Sequence, residues 1–262
     1  MSIISNISWM TTAAWKRNRD VFLLTWKTNF IPPFLEPILY LLAMGLGFGV
    51  LIKGGVQVHG VDVSYLQFLG PSLVAITIMY GAFFECTYGS FVRMHYQKTF
   101  DAMIATPLTI EDVIAAEMLW GATKSFINGT IVLLIIAIAG LASFPGLIFI
   151  PIIAFLAGLM FASMAMLFTA LVPNLDSFNF PFYLLITPMF LFSGTFFPLN
   201  VLPSWVQDVA YTLPLTHCTD LVRDLCFNYF GTNDLISLGY VAVMTVILFV
   251  ASIYLMKKRL IK

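Results

Sequence analysis

The amino-acid sequence predicts an all-α, polytopic membrane protein. It should carry six transmembrane helices, an N-terminal interfacial amphipathic helix, and short outer helices before the last span. Three observations predict this. Only 10% of the 262 residues are charged and 60% are hydrophobic. A soluble domain carries about 25% charged residues, so lipid must be the solvent for much of this chain. Six stretches approach the roughly 20 apolar residues that cross a bilayer as a helix. Lys and Arg crowd the connections on one side of those stretches. The net charge of zero gives no basic field for nucleic acid.

The elements follow in order. Residues 1–29 lack an apolar core followed by a small-residue cleavage site, so they are not a secretory signal. Trp15, Phe22 and Trp26 fall on one helical face there, and Lys16, Arg17, Asp20 and Lys27 on the other. Aromatics opposite a basic face describe a helix lying in the headgroup layer. Residues 30–262 form the six-span domain, with spans at 31–52, about 64–91, about 120–141, about 145–172, 178–197 and about 235–256. No soluble domain, low-complexity linker or internal repeat interrupts them. Small residues in the first span (Gly45, Gly47, Gly49) and the fourth (Ala157, Gly158, Ala162, Ala165) predict close helix packing. Pro181 and Pro188 should bend the fifth span. Segment 198–234 is too polar to span and too apolar for a free loop. It reads as one or two short helices resting on, or dipping into, the outer leaflet, punctuated by Pro198, Pro203 and Pro214. His217, Asp220, Arg223 and Asp224 lie at helical spacings within it and read as a solvated face, with a headgroup gate as the alternative. Cys86, Cys218 and Cys226 have no metal or redox spacing and read as free thiols.

Placing both termini inside gives the inner side Lys16, Arg17, Arg19, Lys27, Arg93, Lys98, Lys124, Lys257, Lys258, Arg259 and Lys262. The outer side keeps only Lys53 and Arg223. That asymmetry fixes the expected topology, with cytoplasmic N- and C-termini in a bacterial inner membrane.

The stretch QKTFDAMIATPLTIEDVIAAE stands out against this background. From Ser64 to Glu85 is about 30 Å of helix at 1.5 Å per residue, so the second span runs on past the membrane. Pro107 disfavours helix at Thr106, and Thr109 with Asp112 can cap a new helix that turns inward. Residues 94–108 therefore form a compact helical elbow beneath the bilayer. Phe100, Met103, Ile104 and Leu108 give it an apolar side, and Lys98 and Asp101 a polar one. Such a knob suits the groove of a cytoplasmic partner, and a bare turn would need only a few residues.

Three runs resemble the permease subunits of ABC-2-type ABC exporters, and among them the NodJ-type nodulation-factor (lipo-oligosaccharide) export permeases. They are EPILYLLAMGLGFG in the first span, FECTYGSFVRMHYQKTFDAMIATPLTIEDVIAAEMLWGATKS across the elbow, and ITPMFLFSGTFFPLNVLPSWVQDVAYTLPLTH from the fifth span onward. The resemblance implies that the elbow is a coupling helix for an ATPase subunit. Its contact residues would be Gln97, Lys98, Thr99, Phe100, Asp101, Met103, Thr106 and Pro107. The N-terminal helix and the inner turn VPNLD (172–176) would assist. The chain itself has no GxxxxGK[ST] phosphate loop. The resemblance thus implies ATP and Mg on a separate subunit in two copies, none bound directly, and a second permease copy, with a homodimer favoured.

No ionisable residue falls near the middle of a span, where such groups are costly and often functional. This weighs against an ion-coupled secondary transporter, and the scattered His59, His95 and His217 weigh against a membrane-embedded transferase. Both remain the alternative classes. No catalytic or metal site is expected. Glu36, Glu85 and Lys124 sit near inner ends, where they could form a charged vestibule for a headgroup or simply anchor and pair helices. Tyr80, Phe84, Tyr88 and Phe91 repeat along the second span as one stripe. With Glu36 and Glu85 they are the candidate substrate pathway.

Overall fold

The computed structural model describes residues 7–51 and 55–261. The expectations that fall on residues 1–6, on the end of the first span with Lys53, and on Lys262 lie outside the described residues. Among the described residues, the regular structure is helical except for one hairpin. Helix α1 (Thr11–Leu24) is followed at Thr25 by α2 (Trp26–Leu51). Strands β1 (Val56–Val58) and β2 (Val61–Val63) then pair antiparallel, Val56 against Val63 and Val58 against Val61. His59 and Gly60 both have positive φ (50° and 78°), as a two-residue primed turn demands. The hairpin was not among the sequence expectations, although alternating Val around a His-Gly pair is a local signal for one.

Helix α3 (Tyr65–Phe84) opens on a Ser64–Gln67 capping box. It continues without a break through two π turns, Glu85–Gly89 and Val92–Tyr96, so one rod runs from Tyr65 to Tyr96. Lys98 reverses the chain in the left-handed region, and α4 (Thr99–Ile104) forms the elbow. Helix α5 (Ile110–Ile138) begins at the Thr109–Asp112 capping box that the sequence predicts. A 3-10 turn then leads to α6 (Ile150–Leu171). Helices α7 (Asn179–Pro181) and α8 (Thr187–Phe192) flank a third π turn, Phe182–Ile186. Short α9 (Ser204–Ala210), buried α10 (Pro214–Cys226) and α11 (Thr232–Leu260) complete the chain.

Among the described residues, four helical stretches are long and apolar enough to cross a membrane: Tyr65–Tyr96, Ile110–Ile138, Gly146–Leu171 and Thr232–Leu260. At 26 residues, α2 measures about 39 Å. The fifth predicted span is shorter than expected. Its helix stops at Phe192 rather than 197, because Gly194 takes a φ of 66°, the left-handed conformation that ends helices. Pro181 and Pro188 flank the π turn on either side.

The core is a packed slab of α3, α5, α6 and α11, with Phe68, Phe83, Phe91, Phe100, Phe161 and Phe178 fully buried. Small residues set its thinnest seam. A Cβ on Gly158 would stand 2.7 Å from the Cβ of Ser125, and one on Gly121 would stand 3.0 Å from that of Ala162. Backbones approach that closely only over glycine. Gly47, grouped with these by sequence, differs: a Cβ there would meet nothing within 4 Å, so Gly47 packs no neighbour among the described residues. All three cysteines are free and buried.

Two further sequence expectations change. The cluster on α10 is not a solvated face: His217, Arg223 and Asp224 are all buried, because α10 inserts between α3 and α11. The N-terminal helix is not laid on lipid alone. Thr11, Ala14 and Asn18 dock it on α5. Trp15 donates to Thr123 Oγ1 at 3.0 Å, and Trp15 and Phe22 meet Trp120 edge-on. Trp26 and Lys27 belong to α2 instead.

Candidate functional site

The long rod of α3 carries the site, and its π turns decide what faces where. Each π turn takes one residue more than an α turn and so rotates everything beyond it around the helix. Tyr80, Phe84 and Tyr88 keep the predicted stripe, with ring centroids 5.8 and 5.9 Å apart. Phe91 lies past the first π turn and leaves the stripe. It is fully buried, edge-on to Phe178 at 5.5 Å, with Arg259 over its ring at 5.4 Å. Phe91 is therefore a core residue here.

Four of the other candidates meet in one place. Glu36, Tyr80, Phe84 and Glu85 line a single cavity of about 530 Å³, together with Lys124. Phe182 and Phe190 from the broken fifth segment complete it, at 6.4 and 5.9 Å from Tyr80. The sequence did not single out these two for that role above the many other aromatics. Tyr88 instead faces a neighbouring cavity of about 450 Å³, walled by Arg17, Phe22, Arg93, Gln97 and Trp120. Glu85 and Lys124 line both cavities and so form the partition between them.

That partition is one end of an ion chain. Lys124 Nζ donates to Glu85 Oε2 at 2.8 Å, and Arg93 Nη2 reaches Glu85 Oε1 at 2.8 Å. Arg93 also donates to Glu117 Oε2 through Nη2 and Nε, at 2.6 and 3.0 Å. Ser90 Oγ donates to the same oxygen at 2.6 Å, and Asn18 Nδ2 to Glu117 Oε1 at 2.8 Å. The signs alternate, so the chain is neutral. Glu85 and Glu117 are both buried, where a lone charge is far more costly than a paired one. The vestibule and the helix-pairing readings of Glu85 and Lys124 thus hold together: the two residues pair, and their pair walls a cavity. Glu117 and Lys124, seven residues apart, do not pair with each other.

Arg93 stands immediately before the elbow, six residues ahead of α4. Within the elbow, Phe100 is buried in the main core, while Met103 and Ile104 pack against it partly covered. The expectation that Phe100 contributes to a partner-facing side is corrected: a phenyl ring at the root of so short a helix finds the core within reach. Gln97, Lys98, Asp101, Thr106 and Pro107 are exposed, and Thr99 is half-buried. Lys98 and Asp101 approach only to 3.9 Å. Asp112, at the start of α5, accepts from Ser8 N at 2.7 Å and Thr11 Oγ1 at 2.8 Å, which ties the N-terminal segment to the elbow. At the same end Lys257 bonds Glu111 Oε1 at 2.5 Å. Arg259 caps the end of α6 through the carbonyls of Thr169 and Val172, just before the 172–176 turn.

Comparison with known proteins agrees with this architecture. The family model described as ABC-2 type transporter matches residues 11–227. The chain is 36% identical over 261 residues to Nodulation protein J of Rhizobium leguminosarum bv. viciae, covering 98% of this chain and 96% of that one. It is 34% identical over 258 residues to Nodulation protein J of Sinorhizobium fredii, covering 97% and 95%. It is 21% identical over 241 residues to the Inner membrane transport permease YadH of Escherichia coli, covering 92% and 90%. With a family match over most of its length and relatives above 30% identity, the chain belongs to the ABC-2 type transporter family.

Proposed function

We propose that the chain is the permease subunit of an ATP-driven exporter of the bacterial inner membrane, moving a lipid-linked or amphipathic molecule out of the cytoplasm. The observation that carries this reading is the continuous ion chain from Arg93, at the base of the elbow, to the Glu85–Lys124 pair on the cavity wall. A cytoplasmic ABC ATPase, in two copies with two permeases, would press on the exposed face of Gln97, Lys98, Asp101, Thr106 and Pro107. ATP and Mg would bind that partner. The elbow cannot yield alone, because Phe100 anchors it in the core. Arg93 clamps α3 to Glu117 of α5, so both helices tilt as one body. Their tilt shifts the Glu85–Lys124 partition and opens the aromatic cavity, whose rings suit acyl chains and sugar faces. The cavity's charged rim suits a polar headgroup. Both termini face the cytoplasm in this reading, since Arg17, Lys98, Lys257 and Arg259 gather at the elbow's end of the bundle.

The test is co-purification with candidate ATPases, followed by ATP turnover and vesicle flux with and without ATP. Lys98→Ala with Asp101→Ala should weaken ATPase binding or uncouple turnover from flux, with folding intact. Full coupling in that double variant, or flux without ATP, would refute the proposal.

A further inference from the structure

The charges on the wall of the 530 Å³ cavity do not cancel. Three charged residues line it: Glu36, Glu85 and Lys124. Lys124 is engaged by Glu85 Oε2 at 2.8 Å and by Asn29 Oδ1 at 3.5 Å. The other oxygen of Glu85 is held by Arg93 at 2.8 Å. Glu36, on α2, has no hydrogen bond or ion pair among the described residues. One negative charge is therefore left over, and the one cation on the wall is already spent.

Polar groups on the same walls are also unspent. Asn128, on α5, is 5% exposed and lines the cavity. No group among the described residues bonds its amide. The unbonded side-chain atoms that are sealed from solvent belong to Ser193, Thr219 and Arg223. The Asn128 amide is thus not sealed and keeps a face open to the cavity. A buried amide without a partner is costly, and its oxygen is an acceptor. Thr77, on α3, lines the cavity with its hydroxyl likewise unpaired among the described residues.

The remaining surface is largely aromatic. Phe84 lies 5.7 Å from Phe182, and Tyr80 lies 5.8 Å from Phe84 and 5.9 Å from Phe190. Tyr40 lines the cavity four residues after Glu36, on the same face of α2. Ring faces are negative and attract cations. An anion would find no free cation here, and a neutral chain would leave Glu36 unmatched. A protonated amine on an apolar body meets the carboxylate, the acceptors and the rings together. The volume suits a drug-sized molecule.

We propose that this cavity selects amphipathic organic cations, with a protonated amine paired to Glu36. Asn128 and Thr77 accept polar hydrogens of the bound molecule, and its apolar body lies against Tyr80, Phe84, Phe182 and Phe190. As a statement about cargo, this rests on the reading of the cavity as the transport site. Binding itself needs neither ATP nor a partner subunit.

The full-length protein should be placed in nanodiscs and titrated with dansylcadaverine, a fluorescent primary amine, and with its neutral N-acetyl derivative. The signal from empty nanodiscs is subtracted. The amine should bind saturably and about tenfold more tightly than the acetylated compound, the effect of one charge-assisted hydrogen bond. Glu36→Gln should bring the two affinities together at unchanged melting temperature, since Glu36 holds no partner that the change would orphan. Phe182→Ala should weaken both compounds alike. Equal affinities in the wild-type protein would overturn the proposal, and so would a preference for the amine that survives in Glu36→Gln. The wild-type comparison needs no substitution, so a misfolded variant cannot shield it. Failure here would leave ATP-driven flux untouched, and flux without ATP would leave this binding untouched, so the two readings fail separately.

Discussion

Phe100 and Asp101 are neighbours with opposite duties. Phe100 is fully buried at the root of the elbow, so Phe100→Ala should cost about 3–5 kcal/mol, read as a lower unfolding midpoint. Asp101 is exposed and only loosely paired. Asp101→Ala should therefore change stability by less than about 0.5 kcal/mol while acting on coupling. Arg93→Met should cost about 3–5 kcal/mol by leaving Glu117 buried and unpaired, and adding Glu117→Leu should recover much of that loss. An unchanged midpoint in the single variant would mean that the ion chain does not hold α3 to α5. On α10, burial pushes the Asp224 carboxyl up to about 6, against the pull of His59. A carboxyl raised in the folded state favours folding when protonated. Its contribution is complete below the ordinary carboxylate range and is lost as pH rises through about 6. The melting temperature should therefore fall more between pH 4 and pH 7 in the wild-type protein than in Asp224→Asn, and parallel profiles would contradict this.

Periodicity located the helices, but it could not count residues per turn. The stripe Tyr80, Phe84, Tyr88, Phe91 assumed an unbroken α-helix. The π turns from Glu85 keep the first three in line and send Phe91 into the core. The elbow was legible because its punctuation is local: Pro107, then Thr109 and Asp112 in a capping box. The hairpin signal in VQVHGVDV is equally local, but two strands of three residues are easily lost between long apolar spans. Glycine roles were legible in part. Gly158→Val should cost about 1–3 kcal/mol by forcing α5 from α6, while Gly47→Val should be near neutral. Equal losses in thermal unfolding would show that the α5–α6 seam does not depend on close backbone approach.

Across the whole molecule, the basic residues of α1, the elbow and the end of α11 collect at one end, and the hairpin and α10 close the other. The three native thiols are buried, so single new cysteines can report sidedness. In intact cells, Lys98→Cys should resist a membrane-impermeant maleimide and His59→Cys should label once the outer membrane is opened. The reverse pattern would invert the proposed topology. The packing of the whole bundle also explains why α10 was misjudged. His217, Asp220, Arg223 and Asp224 look solvated as a helical wheel, yet Arg223 lies 4.0 Å over the Phe68 ring and bonds Ser72.

The sequence alone determined the solvent, the helical class, the position of the elbow and the side on which positive charge gathers. Each of these follows from composition or from residues within a turn of one another, where the backbone and its neighbours settle the outcome. Only the tertiary structure decided which ions pair, which aromatics share a cavity and which polar helix is buried. Glu85 meets Lys124 at a separation of 39 residues, and His59 meets Asp224 at 165. Such partners are chosen by how the helices pack and rotate, and a single π turn is enough to change the choice.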